Sequence, residues 1–177
     1  IPKRDWSSDV CSSDLTVICY WEGLTLVEVK MYRQKRTDEV TEIMRELIKE
    51  KGVNLRNVVV DEDGIGGGVV DQMKCVGFLN GSRAAHPDRF QHIKAECYFK
   101  LAELIEANKV TFICGMRDEI TKELDVIRRR NPDGDGKLNV TGKEEIQQKH
   151  GFSPDIADAI MMRMVFLVKT PGKSVIV

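Results

Sequence analysis

The chain has 177 residues, enough for one domain with a sizeable core and too few for two ordinary ones. A formal net charge of −1 with 31% charged residues excludes a globally basic nucleic-acid binder, so any surface for a polyanion must be local. Five cysteines without a CxxC pair argue against a zinc site or a disulfide framework and point to a reduced, cytosolic setting. No apolar run approaches the roughly 20 residues of a membrane span, and the start of the chain lacks a signal-peptide core.

Residues 5–15 read Asp-Trp-Ser-Ser-Asp-Val-Cys-Ser-Ser-Asp-Leu, with no hydrophobic periodicity. They match, residue for residue, one frame of a common sequencing-adaptor oligonucleotide. Residues 1–15 are therefore expected to be non-native and are set aside in reading the fold. The β-branched and aromatic run from Thr16 to Trp21, the Glu22-Gly23 break and the alternating segment from Leu24 to Tyr32 predict a hairpin. A helix is expected from Thr37, with Val40, Ile43, Met44, Leu47 and Ile48 as its apolar stripe and Gly52 as its end.

The stretch Val58-Val59-Val60-Asp61-Glu62-Asp63-Gly64-Ile65-Gly66-Gly67-Gly68 reads as a buried strand ending in carboxylates, then a glycine-rich turn into a helix. Three acids in a row repel one another and are either solvated or held by a cation, a metal ion being the obvious candidate. The glycines permit a sharp turn and close approach to a ligand, although a phosphate loop or a plain tight turn has the same pattern.

Beyond it, Val69 to Met73 begins a short helix and Val76 to Ser82 forms a strand and turn. A long helix is expected from about residue 87 to 108, with Ile93, Tyr98, Leu101, Leu104 and Ile105 as core. Residues 109–114 suggest a strand. An amphipathic helix over 118–130 ends in Arg128-Arg129-Arg130, which the helix dipole accounts for without a ligand, DNA contact being the less favoured alternative. Residues 131–136 form a turn. Its Asp133, Asp135 and Glu144 have calcium-loop spacing, but Leu138 stands where that loop needs Gly and Lys137 where it needs a ligand, which argues against calcium. A strand over 137–140 and a helix from 141 to His150-Gly151 follow.

The second acidic cluster is Ser153-Pro154-Asp155-Ile156-Ala157-Asp158-Ala159. Ser153 is expected as N-cap and Pro154 as first helical residue of a helix whose later turns, through Val168, are apolar. Asp155 and Asp158, three apart, share a face. Asp155 suits the first turn of any helix. Asp158, between two alanines on a buried helix, would cost several kcal/mol unless a metal or a cationic group met it. A strand-end Asp and a helix Asp converging on a divalent ion is the arrangement of two-metal phosphodiester chemistry, and carboxylate-only ligands favour Mg²⁺ or Mn²⁺ over zinc.

From Thr16 to about Val168 the chain resembles the C-terminal nuclease domain of phage terminase large subunits. The resemblance is carried by the Val58 to Asp71 stretch, Phe78-Leu79-Asn80-Gly81-Ser82, Lys94-Ala95-Glu96-Cys97-Tyr98, Gly142-Lys143-Glu144-Glu145-Ile146 and Ser153 to Ala159. It implies an α/β fold, a ribonuclease H-like mixed β-sheet flanked by helices, over residues 16–170, followed by a tail at 171–177. It implies metal-dependent cleavage of concatemeric double-stranded DNA, with Asp61 and Asp158 as catalytic metal ligands and Asp155 as a neighbouring ligand or orienter; Asp63 is the alternative to Asp61. Arg83 and Lys143 are candidate phosphate contacts, with surface ion pairing as the competing account. In the parent protein the partners implied are an N-terminal ATPase domain, the portal and the small terminase subunit, in the host cytoplasm and not at a membrane. The family's first catalytic Asp, counted back from Thr16, falls near Ser7 inside the adaptor-like segment, so impaired activity is expected. Asp5, Asp9 and Asp14 lie nearby without the apolar alternation of a central strand. A Holliday-junction resolvase-like nuclease and a non-catalytic domain binding DNA or a motor partner are the alternatives.

Overall fold

The computed structural model describes residues 4–10, 15–63, 66–130 and 136–169. Its frame is a six-stranded mixed sheet in the order β5-β4-β1-β2-β3-β6, built from β1 (Arg4–Val10), β2 (Leu15–Glu22), β3 (Thr25–Arg33), β4 (Val58–Asp61), β5 (Val76–Phe78) and β6 (Thr111–Phe112). β1, β2 and β3 pair antiparallel in chain order, whereas β4 runs parallel to both β1 and β5, and β6 parallel to β3. The predicted hairpin is β2–β3, turning at Gly23, whose φ of 62° is the left-handed conformation that glycine adopts freely.

Alternation along β2 divides the core. Val17, Cys19 and Trp21 face one layer and Ile18 and Tyr20 the other. The second layer is made by α1 (Thr37–Lys51) and α2 (Gly66–Met73), which bury Val40, Met44, Leu47, Val69 and Met73. The first is made by α3 (Ile93–Glu106), α4 (Arg117–Asp125), α6 (Asp155–Met162) and α7 (Val165–Val168). A two-stranded ribbon of β7 (Arg129–Arg130) and β8 (Asn139–Val140) and the helix α5 (Lys143–His150) complete the described elements. Val58, Val59 and Val60 are each fully buried because β4 is covered on both faces, which is why its sequence is an unbroken apolar run.

Residues 4–10, within the segment expected to be non-native, form β1 in the middle of the sheet. Backbone hydrogen bonding is indifferent to side chain, and the slot between β2 and β4 presents unpaired edges on both sides that any extended segment can fill. The side chains fit that slot poorly. Asp5, Ser7 and Ser8 are buried, and the Ser7 and Ser8 hydroxyls and the Trp6 indole N–H have no hydrogen-bond partner among the described residues. Asp5 is met by Arg163, which follows α6, at 2.8 Å.

Other expectations shift. The long helix starts at Ile93, not near residue 87, because His92 Nδ1 accepts the Ala95 N–H and the buried Glu96 carboxylate takes the Ala85 and His86 N–H groups, fixing the preceding segment as a loop. α4 ends at Asp125, so Arg129 and Arg130 lie on a strand and not at a helix terminus. The apolar helix beginning near Ser153 is broken at Arg163 and Met164 into α6 and α7. Cys19, Cys75, Cys97 and Cys114 are free thiols, and Cys11, Asp133 and Asp135 lie outside the described residues. Among the described residues no helix is long and apolar enough to cross a membrane.

Candidate metal centre

β4 delivers Asp61 to the C-terminal end of the sheet, where it is half-buried. Its Oδ1 accepts the Asp63 N–H at 3.0 Å and the Asn80 side-chain amide at 3.2 Å. Asn80 also donates its backbone N–H (3.0 Å) and Nδ2 (2.7 Å) to Oδ2 of the exposed Asp63, so the turn after β5 holds both acids in place. Burial, then the Asp63 and Asp158 carboxylates, raise the Asp61 carboxyl above its ordinary range, against the Asp63 N–H and the Lys94 ammonium. Gly68, after this cluster, serves helix packing: a Cβ there would come within 2.9 Å of Thr37 at the start of α1.

Asp158 projects from α6 toward the same end of the sheet and is buried. It is not unpaired. Tyr98 of α3 donates to its Oδ1 at 2.6 Å, and the Lys94 ammonium, one helical turn earlier, lies 2.9 Å from the carboxylate. The alanines on either side of Asp158 keep α6 close to the sheet, so its charge is met by α3 and not by water.

Asp155 has different company. Its Oδ1 accepts from Lys143 Nζ at 2.8 Å and from the Ser153 hydroxyl at 2.7 Å. Ser153 thus does not cap the helix as expected, and Pro154, expected as the first helical residue, is the N-cap. The capping oxygen comes from Glu123 of α4, which accepts the Ala157 N–H at 2.9 Å. Burial, reinforced by Asp155 and Asp158, pushes the Glu123 carboxyl up to about 7 despite the backbone N–H groups that favour its ionised form.

The fold therefore brings Asp61 and Asp158 within electrostatic reach of each other, with Lys94 acting on both, and pairs Asp155 with Lys143. Arg83, in the loop between β5 and α3, is exposed. Lys94, Tyr98, Asn80 and Glu123 are the residues of this centre that the sequence had not assigned to it. Tyr98 reads as core, and nothing in the sequence of α4 marks Glu123 as a cap for a helix 34 positions on. An oxygen-only donor pair suits a hard divalent cation that keeps several waters. A group of three His, Cys, Asp or Glu positioned for a metal is absent among the described residues.

A ribonuclease H-like sheet with acids from a central strand end and a late helix defines the class of fold. No family model matches the chain, and no curated protein does. Solved structures do, and they place the fold more narrowly: it is that of the nuclease domains of phage large terminase subunits. The nuclease domain of the large terminase subunit gp2 of bacterial virus Sf6 is 22% identical with a TM-score of 0.80, covering 92% of this chain and 87% of that one. A variant of the same domain with manganese gives 20% and 0.81, covering 92% and 88%. The large terminase nuclease of thermophilic phage G20c with bound magnesium gives 14% and 0.61, covering 92% and 80%.

Proposed function

We propose that this chain is the metal-dependent endonuclease domain of a viral DNA-packaging terminase large subunit, cleaving concatemeric double-stranded DNA. The observation that carries the reading is the convergence of Asp61 and Asp158 at one end of a sheet whose fold is shared with terminase nucleases, two of them solved with Mn²⁺ or Mg²⁺. Asp61 and Asp158 are the metal ligands in this reading. Asp155 orients Lys143, and Lys143 and Arg83 meet the DNA backbone.

A bound Mg²⁺ or Mn²⁺ supplies Lewis-acid stabilisation of the phosphodiester and a water of lowered pKa, and a second ion would clamp the opposite oxygen. The chain's own residues set the stage. Asn80 fixes Asp61, Tyr98 fixes Asp158, and Lys94 offsets the charge of the acids, which would hold the ion. A third acid would come from β1. The register Trp6↔Val58, Ser7↔Val59, Ser8↔Val60, continued by one step, sets backbone position 9 beside Asp61. In the parent assembly the domain would follow an ATPase domain and work with portal and small subunit in the host cytoplasm.

The test is plasmid cleavage with Mn²⁺ by this chain, its Asp61→Asn, Asp158→Ala and Asp9→Asn variants, and a form whose β1 carries a restored Asp-containing strand. Cleavage by the restored form that Asp158→Ala abolishes supports the reading. Absence of cleavage in every form, together with no heat of Mn²⁺ binding, overturns it.

A further inference from the structure

Beside the acids, where α3, β7, β8 and the start of α5 meet, lies a cavity of about 160 Å³ lined by His92, Lys94, Arg130, Asn139, Thr141 and Lys143. Two of its three cations are shared with the acids, since Lys94 reaches Asp158 and Lys143 reaches Asp155. The third, Arg130, stands exposed and meets Glu145 only at 3.7 Å. Burial and the neighbouring Lys94 push His92 down, so the fixed charge of the lining at neutral pH is that of Lys94, Lys143 and Arg130. Gly142, the N-cap of α5, also lines the cavity and offers no side chain to the first-turn N–H groups, which add their partial positive charge.

We infer that this cavity seats a backbone phosphate of duplex DNA, the neighbour along the strand of the phosphate at Asp61 and Asp158. The inference rests on the nuclease reading and deepens it. Three cations with a helix start match an oxyanion and repel a metal ion. The lining has no Phe, Tyr or Trp, so its cations outweigh any aromatic face as a recognition element. Seating the phosphate transfers Arg130 from Glu145, its loosest contact, while Lys94 and Lys143 link the cavity to the acids through single side chains. Arg130, which at a helix terminus would need no ligand, acquires one by lying on a strand.

Binding of a short fluorescein-labelled duplex, followed by anisotropy in Ca²⁺ across a range of NaCl, tests the assignment. Arg130→Gln is expected to weaken binding roughly five- to tenfold and to reduce the slope of log Kd against log salt by about 1. Arg130→Lys restores most of the slope. Lys49→Gln, on the exposed side of α1 across the sheet, leaves both unchanged. Arg130→Gln binding like the parent protein, Lys49→Gln matching its loss, or no duplex binding by the parent protein would each overturn the cavity's role. Mn²⁺ calorimetry on the same proteins separates the two levels: loss of the nuclease reading shows as no metal binding by any of them, whereas Arg130→Gln keeps the metal affinity of the parent.

Discussion

The hydroxyl of Tyr98 and Oδ1 of Asp158 lie 2.6 Å apart in a buried contact between α3 and α6. A charge-assisted bond of this length fixes the carboxylate's rotation as well as its charge. Tyr98→Phe keeps the ring and removes the donor, so the buried Asp158 carboxylate keeps its contact with Lys94 but loses the hydroxyl. We expect a loss of about 1–3 kcal/mol in urea unfolding. If Asp158 holds a metal, Mn²⁺ affinity in calorimetry also falls roughly tenfold or more, as is usual when a residue behind a ligand is removed. Unchanged stability and unchanged affinity would deny Tyr98 this role.

Asp5 and Arg163 form a buried ion pair that ties β1 to the end of α6, and Arg163 also donates to the Gly23 carbonyl at 2.8 Å. Removing one charge takes away the other's ion-pair partner in a buried setting. Arg163→Met should cost about 3–5 kcal/mol, and adding Asp5→Leu should recover most of it. The measurement is a double-variant cycle in urea; a double variant as unstable as the single one would contradict the pairing.

Ser8 is buried in β1 on the side of Val60 and its hydroxyl lacks a partner among the described residues. Ser8→Ala removes that hydroxyl without adding volume. A gain of about 1 kcal/mol, read as a rise of about 2–4 °C in Tm, is expected. A fall in Tm would mean that the hydroxyl is bonded.

Glu123 carries a pH dependence whose sign is fixed. Its folded value of about 7 lies above the ordinary 4.5. Between those two values the unfolded chain has released a proton that the folded chain keeps, so this group's contribution falls as pH rises through the window and is level outside it. Glu123→Gln retains the oxygen that accepts the Ala157 N–H. With EDTA present, its unfolding free energy should rise relative to the parent protein from pH 4.5 to 7. Parallel curves would refute the shift.

Asp61 and Asp158 could be read from sequence because each breaks a local rule: acids at the end of a valine run, and an acid between alanines on a buried helix. The β2–β3 hairpin, α1 and the Gly52 terminus were legible for the ordinary reasons of alternation, periodicity and capping. β1 was not, since Asp5, Ser7 and Ser8 give no strand signal and its place is set by the open edges beside it. Nor was the company of Asp158. Lys94 and Tyr98 are one turn apart on α3, a spacing that serves core or site equally, and only the packing of α3 on α6 decides. Arg130 was misplaced because α4 ends nine residues after it begins, and the ribbon that follows draws its second strand from beyond residues 131–135.

The oxygen that starts α6 belongs to α4. The helix bearing both Asp155 and Asp158 has no side-chain cap from its own N-cap residue, so a peptide spanning only residues 136–169 would lack the cap that Glu123 provides. The acids are addressed from a distance: a substitution in α4, a helix with no metal ligand in it, can slide or fray the start of α6 and misplace Asp158 while every residue around Asp61 stays in position.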